Sequence, residues 1–247
     1  MTNKAIFITV RTGSTRLKNK SILKIKDKHT IEYVIDAAKT SKYAKDIILC
    51  TSTNPNDKIL CDIAEKNNIK WFRGSEENKW HRWDGACKKY NINFFATADG
   101  DDLFYSSGLA DACFKQFMSS PEDIIIDGQG LYNDVYGFSN HVIKTIAELD
   151  ESINLEPHHA ISFLKNKKFK IEKIKNYKKI YEKRNVRMTL DYPEDFNFFK
   201  NIIELIDNND YNIKKIYELI DANPEIAKIN FFLEEKWKEN QKKEGKK

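Results

Sequence analysis

The stretch Ala5-Ile6-Phe7-Ile8-Thr9-Val10, followed at once by Arg11-Thr12-Gly13-Ser14-Thr15-Arg16-Leu17-Lys18-Asn19-Lys20, decides how the rest of the chain is read. The first six residues are mostly apolar and rich in β-branching, which predicts a buried strand. The change to a Gly/Ser/Thr segment carrying Arg11, Arg16, Lys18 and Lys20 then places a basic loop at its carboxyl end. Open parallel sheets bind their ligands at that edge. A loop containing Gly13 and Ser14 offers backbone N–H groups with little side-chain obstruction, and its cations neutralise several negative charges at once, which suits a triphosphate. The plain alternative is a polar surface turn that is basic by chance, so the loop needs support from the residues that follow.

Those residues alternate between two periods. Ile31, Val34, Ile35 and Ala38 share one face at helical spacing, Asp46–Thr51 is a short apolar run, and Asn54-Pro55-Asn56-Asp57 opens a helix with Ile59, Leu60, Ile63 and Ala64 inward. Ile69–Phe72 predicts a third strand, Trp80–Tyr90 a helix, and Asn93–Ala98 a fourth strand ending at Asp99. Strands separated by helical patterns predict a parallel sheet with right-handed crossovers. Further on, Leu109–Met118 reads as a helix, Asp123–Asp127 as a strand, and the glycine and aromatic segment 128–138 as a loop or hairpin over a pocket. Helices over Val142–Leu149 and from Leu155 to Leu164, a half-buried antiparallel strand over Phe169–Ile174 and a last strand over Val186–Asp191 follow. Tyr192-Pro193-Glu194-Asp195 opens a helix with proline and acidic residues in its first turn. Residues 1–233 read as a single domain and 234–247 as a frayed or disordered basic tail.

The fourth strand runs into Asp99-Gly100-Asp101-Asp102. Carboxylates at a strand end facing a basic loop point to Mg²⁺ bridging to phosphate, because that ion favours one or two carboxylates plus phosphate oxygens and water. A solvated Asp-Gly turn is the competing reading, and Asp99 is the best-placed inward ligand. His158 and His159 are adjacent, so on a helix they diverge too far to share a metal, and a packing or substrate contact suits them better.

Composition narrows the class further. The chain has 247 residues, enough for a substantial core, and its 42 Lys and Arg against 37 Asp and Glu leave a charge of only +5. That excess is concentrated toward the C-terminus and is weak support for nucleic-acid binding. Cys50, Cys61, Cys87 and Cys113 form no C-x-x-C pair, which indicates reduced thiols in a cytoplasmic protein. No apolar run approaches membrane-spanning length, and the sequence enters its first strand without a leader pattern.

Four segments resemble one family when taken in order. They are Arg11-x-Gly-Ser-Thr-Arg-Leu-x-x-Lys20, Phe72-Arg73-Gly74-Ser75 with Arg82 following, Ala98-Asp99, and Leu190-Asp191-x-Pro-Glu-Asp-Phe196. Together they are similar to the cytidylyltransferases that include SpsF-like proteins and CMP-Kdo synthetases. The resemblance implies a Rossmann-like, three-layer α/β nucleotidyltransferase fold, GT-A-like, with a mostly parallel central sheet and a small antiparallel extension. It implies that Arg11 and Lys20, with Gly13, Ser14 and Arg16, hold the triphosphate of CTP, and that Asp99 and Asp191 bind Mg²⁺. Arg11, Lys20, Asp99 and Asp191 are then the catalytic set. Thr51, Ser52 and Arg73 become expected nucleotide contacts, and Arg82, Asp101, Gln129, Tyr136 and His158 expected acceptor contacts. A homodimer is compatible with the family pattern. The chain departs from that pattern at Lys18-Asn19, where Pro-Gly is usual, and at Gly100-Asp101-Asp102 after the first aspartate.

The implied reaction joins CMP to a small acidic or phosphorylated acceptor, such as a sugar acid, a sugar phosphate or a phosphorylated amino acid like phosphoglutamine, in surface polysaccharide or capsule biosynthesis. Two rivals stand beside it. A metal-dependent glycosyltransferase would use Asp99-Gly100-Asp101 as a D-x-D motif, and a non-catalytic RNA-binding protein would use the Lys-rich 165–183 tract with Tyr177 and Tyr181.

Overall fold

Strand β1 (Lys4–Thr9) lies inside a seven-stranded sheet in the computed structural model, which describes residues 2–126, 131–149, 169–206, 210–237 and 239. It pairs in parallel with β4 (Asp46–Ser52) on one side and β6 (Phe94–Asp99) on the other, so Thr9 lies beside Cys50 and Asp99. Strand β5 (Lys70–Gly74) extends the parallel set beyond β4. Two short strands between β1 and β4, β2 (Lys24–Ile25) and β3 (Lys28–His29), form a separate hairpin.

Alternation along β1 explains the three layers. Ile6 and Ile8 pack with Val34, Ile35, Leu60, Leu109 and Phe114, from helices α1 (Thr30–Lys39), α2 (Lys58–Lys66) and α4 (Ser107–Ser119). Ala5 and Phe7 point the other way, into Trp80, Trp83, Val142 and Ile146 of α3 (Lys79–Tyr90) and α5 (Asn140–Leu149). Phe7 and Phe95 stack across adjacent strands with centroids 4.1 Å apart. A third apolar cluster joins Leu103, Phe104 and Leu190 to α6 (Pro193–Leu205), α7 (Ile213–Ala222) and α8 (Pro224–Lys228).

The antiparallel part differs in detail from the sequence expectation. Segment 128–138, expected as a loop or hairpin, ends in strand β8 (Gly137–Ser139), which runs antiparallel to both β6 and β7 (Ile124–Ile126). The strand expected over 169–174 exists as β9 (Ile171–Lys173), but it pairs parallel to β7 rather than antiparallel. Alternation of apolar and charged residues fixes which face is buried and carries no information about strand direction. Val186–Asp191, expected as a strand, joins no sheet. It is buried because it packs under α6 and near the Asp99–Asp102 turn, with the Leu190 N–H donating to the Asp101 carbonyl at 3.0 Å. Residues 234–237, expected to fray, instead form a helical turn, with the Arg187 guanidinium 5.6 Å from the Trp237 ring centre. The helix expected from Leu155 lies outside the described residues.

Phe138 marks the change from parallel to antiparallel pairing. It is fully buried against Trp80, Trp83, Phe95 and Tyr136. Phe138→Ala is expected to cost about 3–5 kcal/mol in urea unfolding, whereas Phe232→Ala, at a ring 66% exposed, should stay within about 0.5 kcal/mol.

Candidate active site

The basic loop is held from beneath by a residue the sequence reading had taken only as part of a helix start. Asp57 accepts from the Thr12 N–H at 2.8 Å, the Thr12 hydroxyl at 2.6 Å and the Ser52 hydroxyl. Burial alone would raise its carboxyl, but the hydrogen bonds from Ser52 and Thr12 outweigh it and hold the group below the ordinary carboxylate range. Asp57 thereby fixes the first turn of the loop to the end of β4. Asn19 has φ of 57°, a left-handed conformation that asparagine tolerates, so the loop turns there without the family's glycine.

The far end of the loop meets two acidic segments. Lys20 Nζ lies 2.6 Å from Asp101 Oδ2 and 2.9 Å from Asp191 Oδ1, and an Arg16 nitrogen reaches the same Asp191 oxygen at 2.8 Å. Burial opposes the lysine's charge, yet the two carboxylates raise its pKa well above the usual value. Asp191 shows the mirror effect: it is buried, but Lys20 and Arg16 hold its carboxyl below the ordinary range.

Asp191 owes its position to a buried network absent from the sequence expectations. Asp195, fully buried, takes Arg187 in a two-pronged ion pair at 2.9 and 3.1 Å and accepts from the Asp191 and Tyr192 N–H groups. Asn230 adds a further donor to Asp195 at 2.9 Å. Arg187 continues to Glu234 at 3.5 Å, which joins the 234–237 turn to the site.

Loop, acidic turn and Asp191 line one cavity of about 470 Å³, together with Lys79, Trp83, Asn133, Tyr136, Lys183, Arg187, Glu234 and Trp237. Gly100 lets the acidic turn approach β1: an added Cβ would lie 2.6 Å from Val10 Cβ, while the Gly100 N–H donates to the Thr9 carbonyl at 3.0 Å. Among the described residues, no group of three His, Cys, Asp or Glu side chains could hold a metal by itself. The donor chemistry fits a cation shared with a ligand. Burial, followed by repulsion from Asp101, Asp99 and Asp134, keeps the Asp102 carboxyl well above its ordinary range, and these four aspartates share one wall of the cavity.

The expected residues divide clearly. Arg11, Gly13, Ser14, Arg16, Lys20, Asp99, Asp101, Tyr136 and Asp191 all line the cavity, with Arg11 donating to the Glu76 carbonyl at its rim. Thr51, Ser52, Arg73 and Arg82 do not. Thr51 and Ser52 are fully buried beneath the loop, and Arg73 grips the carbonyls of Ser52, Thr53 and Asn54. Arg82 is buried and donates to the Ser75 carbonyl. Those four side chains lie outside the cavity lining, with Arg73 and Arg82 bonded to backbone carbonyls of their own neighbourhood. Gln129 and His158 lie outside the described residues. All four cysteines are buried, and burial raises the Cys61 and Cys87 thiols and pushes Cys50 up to about 12.

A parallel α/β sheet that sets a basic, glycine-containing loop against strand-end carboxylates across one cavity is the arrangement of a nucleotidyltransferase. The sequence profile of the cytidylyltransferase family matches residues 5–228, and the chain belongs to that family. It is 27% identical over 228 residues to an uncharacterised protein of Methanocaldococcus jannaschii, covering 90% of this chain and 92% of that one. The spore coat polysaccharide biosynthesis protein SpsF of Bacillus subtilis is 20% identical over 239 residues, with 92% and 98% covered.

Solved structures share the fold. A cytidylyltransferase from Leptospira borgpetersenii superposes with a TM-score of 0.82 at 23% identity, covering 92% of this chain and 97% of that one. A CMP-2-keto-3-deoxy-manno-octonic acid synthetase complexed with CTP gives 0.62 at 14% identity, covering 82% and 99%. A Mycobacterium tuberculosis protein complexed with manganese gives 0.53 at 12% identity, covering 83% and 100%. No helix among the described residues is long and apolar enough to cross a membrane.

The Lys20–Asp191 pair has a definite pH signature. Because the carboxyl is depressed in the folded protein, its stabilisation is complete above the unfolded value near 4 and is lost as pH falls through the folded value. Asp191→Asn is expected to lower stability by about 3 kcal/mol at pH 7. In urea unfolding measured from pH 7 down to pH 2, the gap between wild type and variant should close below about pH 4.

Proposed function

We propose that this protein transfers CMP from CTP to a small acidic or phosphorylated acceptor and releases pyrophosphate, using Mg²⁺, in the cytoplasm. The acceptor class comprises sugar acids, sugar phosphates and phosphorylated amino acids such as phosphoglutamine. Surface polysaccharide or capsule synthesis is the setting, a reading supported by the likeness to a spore coat polysaccharide protein. One observation carries the proposal: the basic loop and the carboxylates Asp99 and Asp191 line the same cavity.

An acceptor oxygen attacks the α-phosphorus of CTP, and the bond from that phosphorus to the bridging oxygen of pyrophosphate breaks, so the electron pair leaves with pyrophosphate. A phosphate acceptor attacks through an oxygen that is already anionic and needs no general base, whereas a sugar acid attacking through a hydroxyl gives up that proton to solvent. Arg11 and Lys20 stabilise the charge that accumulates on the departing oxygens. Lys20 and Arg16 hold Asp191 before the nucleotide arrives. A triphosphate offers them phosphate oxygens in exchange, which turns Asp191 toward its other role. Mg²⁺, held by Asp99 and Asp191 with phosphate oxygens, would neutralise charge at the α-phosphate.

The rivals account for less. The glycosyltransferase reading uses Asp99-Gly100-Asp101 but gives no role to the cations of the Arg11–Lys20 loop that line the same cavity. In the RNA-binding reading, Lys170, Lys175 and Lys183 of the basic tract are paired with Glu122, Glu172 and Glu234.

Pyrophosphate release, measured with Mg²⁺, each of the four nucleoside triphosphates and a panel of the three acceptor types, tests the proposal. Release with CTP and one acceptor type is expected. No release with any pair, alongside turnover of a nucleotide sugar, would overturn it. Asp99→Asn and Asp191→Asn should each lower turnover by about 100-fold or more with the circular dichroism spectrum unchanged; near-normal turnover removes that residue from the site.

A further inference from the structure

We infer that Asn133 is a specificity residue for the acceptor, its side-chain carboxamide receiving a hydrogen bond from an O–H or N–H group that the acceptor carries beside its reacting anionic group. The inference rests on the reading of the cavity as a nucleotide and acceptor site. It deepens that reading by adding a chemical requirement, since the acceptor must be both an anion and a hydrogen-bond donor.

Asn133 lines the cavity and is only 3% exposed, yet its buried side-chain oxygen has no hydrogen-bond partner among the described residues. Such groups are rare in folded proteins, because an unmade hydrogen bond forfeits the water the group has lost. A loose loop would explain the vacancy, but this segment is fixed on both sides. Before Asn133, Leu131 bridges to Glu182 and the Tyr132 N–H donates to the Tyr181 carbonyl at 3.1 Å, while the Tyr132 hydroxyl donates to the Phe104 carbonyl at 2.8 Å. After it, Val135 is fully buried, the Tyr136 N–H donates to the Thr97 hydroxyl at 3.0 Å, and the Tyr136 carbonyl accepts from the Thr97 N–H at 2.8 Å. The chain is thus fixed on both sides of Asn133 while its side-chain oxygen has no partner among the described residues. Preorganised polar groups of this kind, set in a ligand-sized cavity, discriminate strongly, because a ligand lacking the complementary group leaves them unpaired.

The cavity supplies the other half of the recognition. Lys79 lines it together with the cations of the loop, so an anionic acceptor meets positive charge on entry. Asp134 and the acidic turn repel anions where the metal belongs, which leaves the neutral carboxamide as a polar group that can read a donor without repelling the substrate.

Asn133→Leu and Asn133→Asp, compared with wild type, test the assignment through melting temperature, CTP affinity by calorimetry and pyrophosphate kinetics with the most active acceptor of the panel. Leucine removes the orphaned group at similar volume, so the melting temperature should stay the same or rise by up to about 4 °C. CTP affinity should be unchanged, and the acceptor KM should rise about tenfold or more. Aspartate should weaken the acceptor by repelling an anion while leaving the Mg²⁺ requirement unchanged. A lowered melting temperature for leucine, an unchanged acceptor KM, or tighter Mg²⁺ dependence for aspartate would overturn the inference, the last by making Asn133 a metal ligand. Should wild type turn over none of the panel, the functional reading fails by itself. The melting temperatures then decide on Asn133: stabilisation by leucine supports a carboxamide kept for a ligand, and destabilisation refutes it.

Discussion

The contact on which the rest of this protein depends is the pair of ionic bonds from Lys20 to Asp101 and Asp191. A buried ammonium is costly to desolvate, and the cost is recovered only where carboxylates approach it closely. Meeting that condition brings together the loop after the first strand, the turn after β6 and the segment before α6. Each is held by its own device: Asp57 under the loop, Gly100 against Val10, and Asp195 behind Asp191. The cavity is the space left between them.

Asp57 and Asp195 follow one logic. Both occur near a helix start close after a proline, where an acidic residue is ordinarily read as favouring the helix dipole. Both instead use their oxygens to tie down another stretch of chain, Thr12 in one case and Asp191 with Arg187 in the other. The hydrogen bonds hold Asp57 below the ordinary carboxylate range although it is buried, and Asp195 meets Arg187 in a two-pronged ion pair, so one braces the basic loop and the other braces Asp191.

What could be read from the sequence was whatever repeats or clusters locally. The alternation of Ala5 to Thr9 and the change to Arg11–Lys20 located the central strand and its loop, and apolar residues before Asp99 placed a carboxylate at a strand end. Leu190-Asp191 drew attention by its match to a family pattern, although the segment proved to be an extended chain outside the sheet. Direction was not legible, as β9 shows, because period-two patterning is the same in parallel and antiparallel pairs. Nor was the destination of a polar side chain. Ser52, Arg73 and Arg82 stand near the site along the chain, where Ser52 bonds to Asp57, Arg73 to nearby carbonyls and one Arg82 nitrogen to the Ser75 carbonyl. Trp237, inside the stretch read as a basic tail, lies against the guanidinium of Arg187, a partner 50 positions away that no local pattern reveals.

The network behind Asp191 also has a consequence for synthesis of the protein. A chain leaving the ribosome amino end first presents Arg16 and Lys20 long before Asp191, Asp195 and Glu234 exist to receive or support them. The central parallel strands can pair early, yet the site is made of contacts spanning as many as 175 residues and closes late. Until then Lys20 has Asp101 of the acidic turn as its partner, and the second carboxylate is still to come. The order of synthesis thus separates the pairing of the central strands from the closing of the cavity, and a fragment ending before residue 190 would have most of the sheet without the Asp191 counter-charge to Arg16 and Lys20.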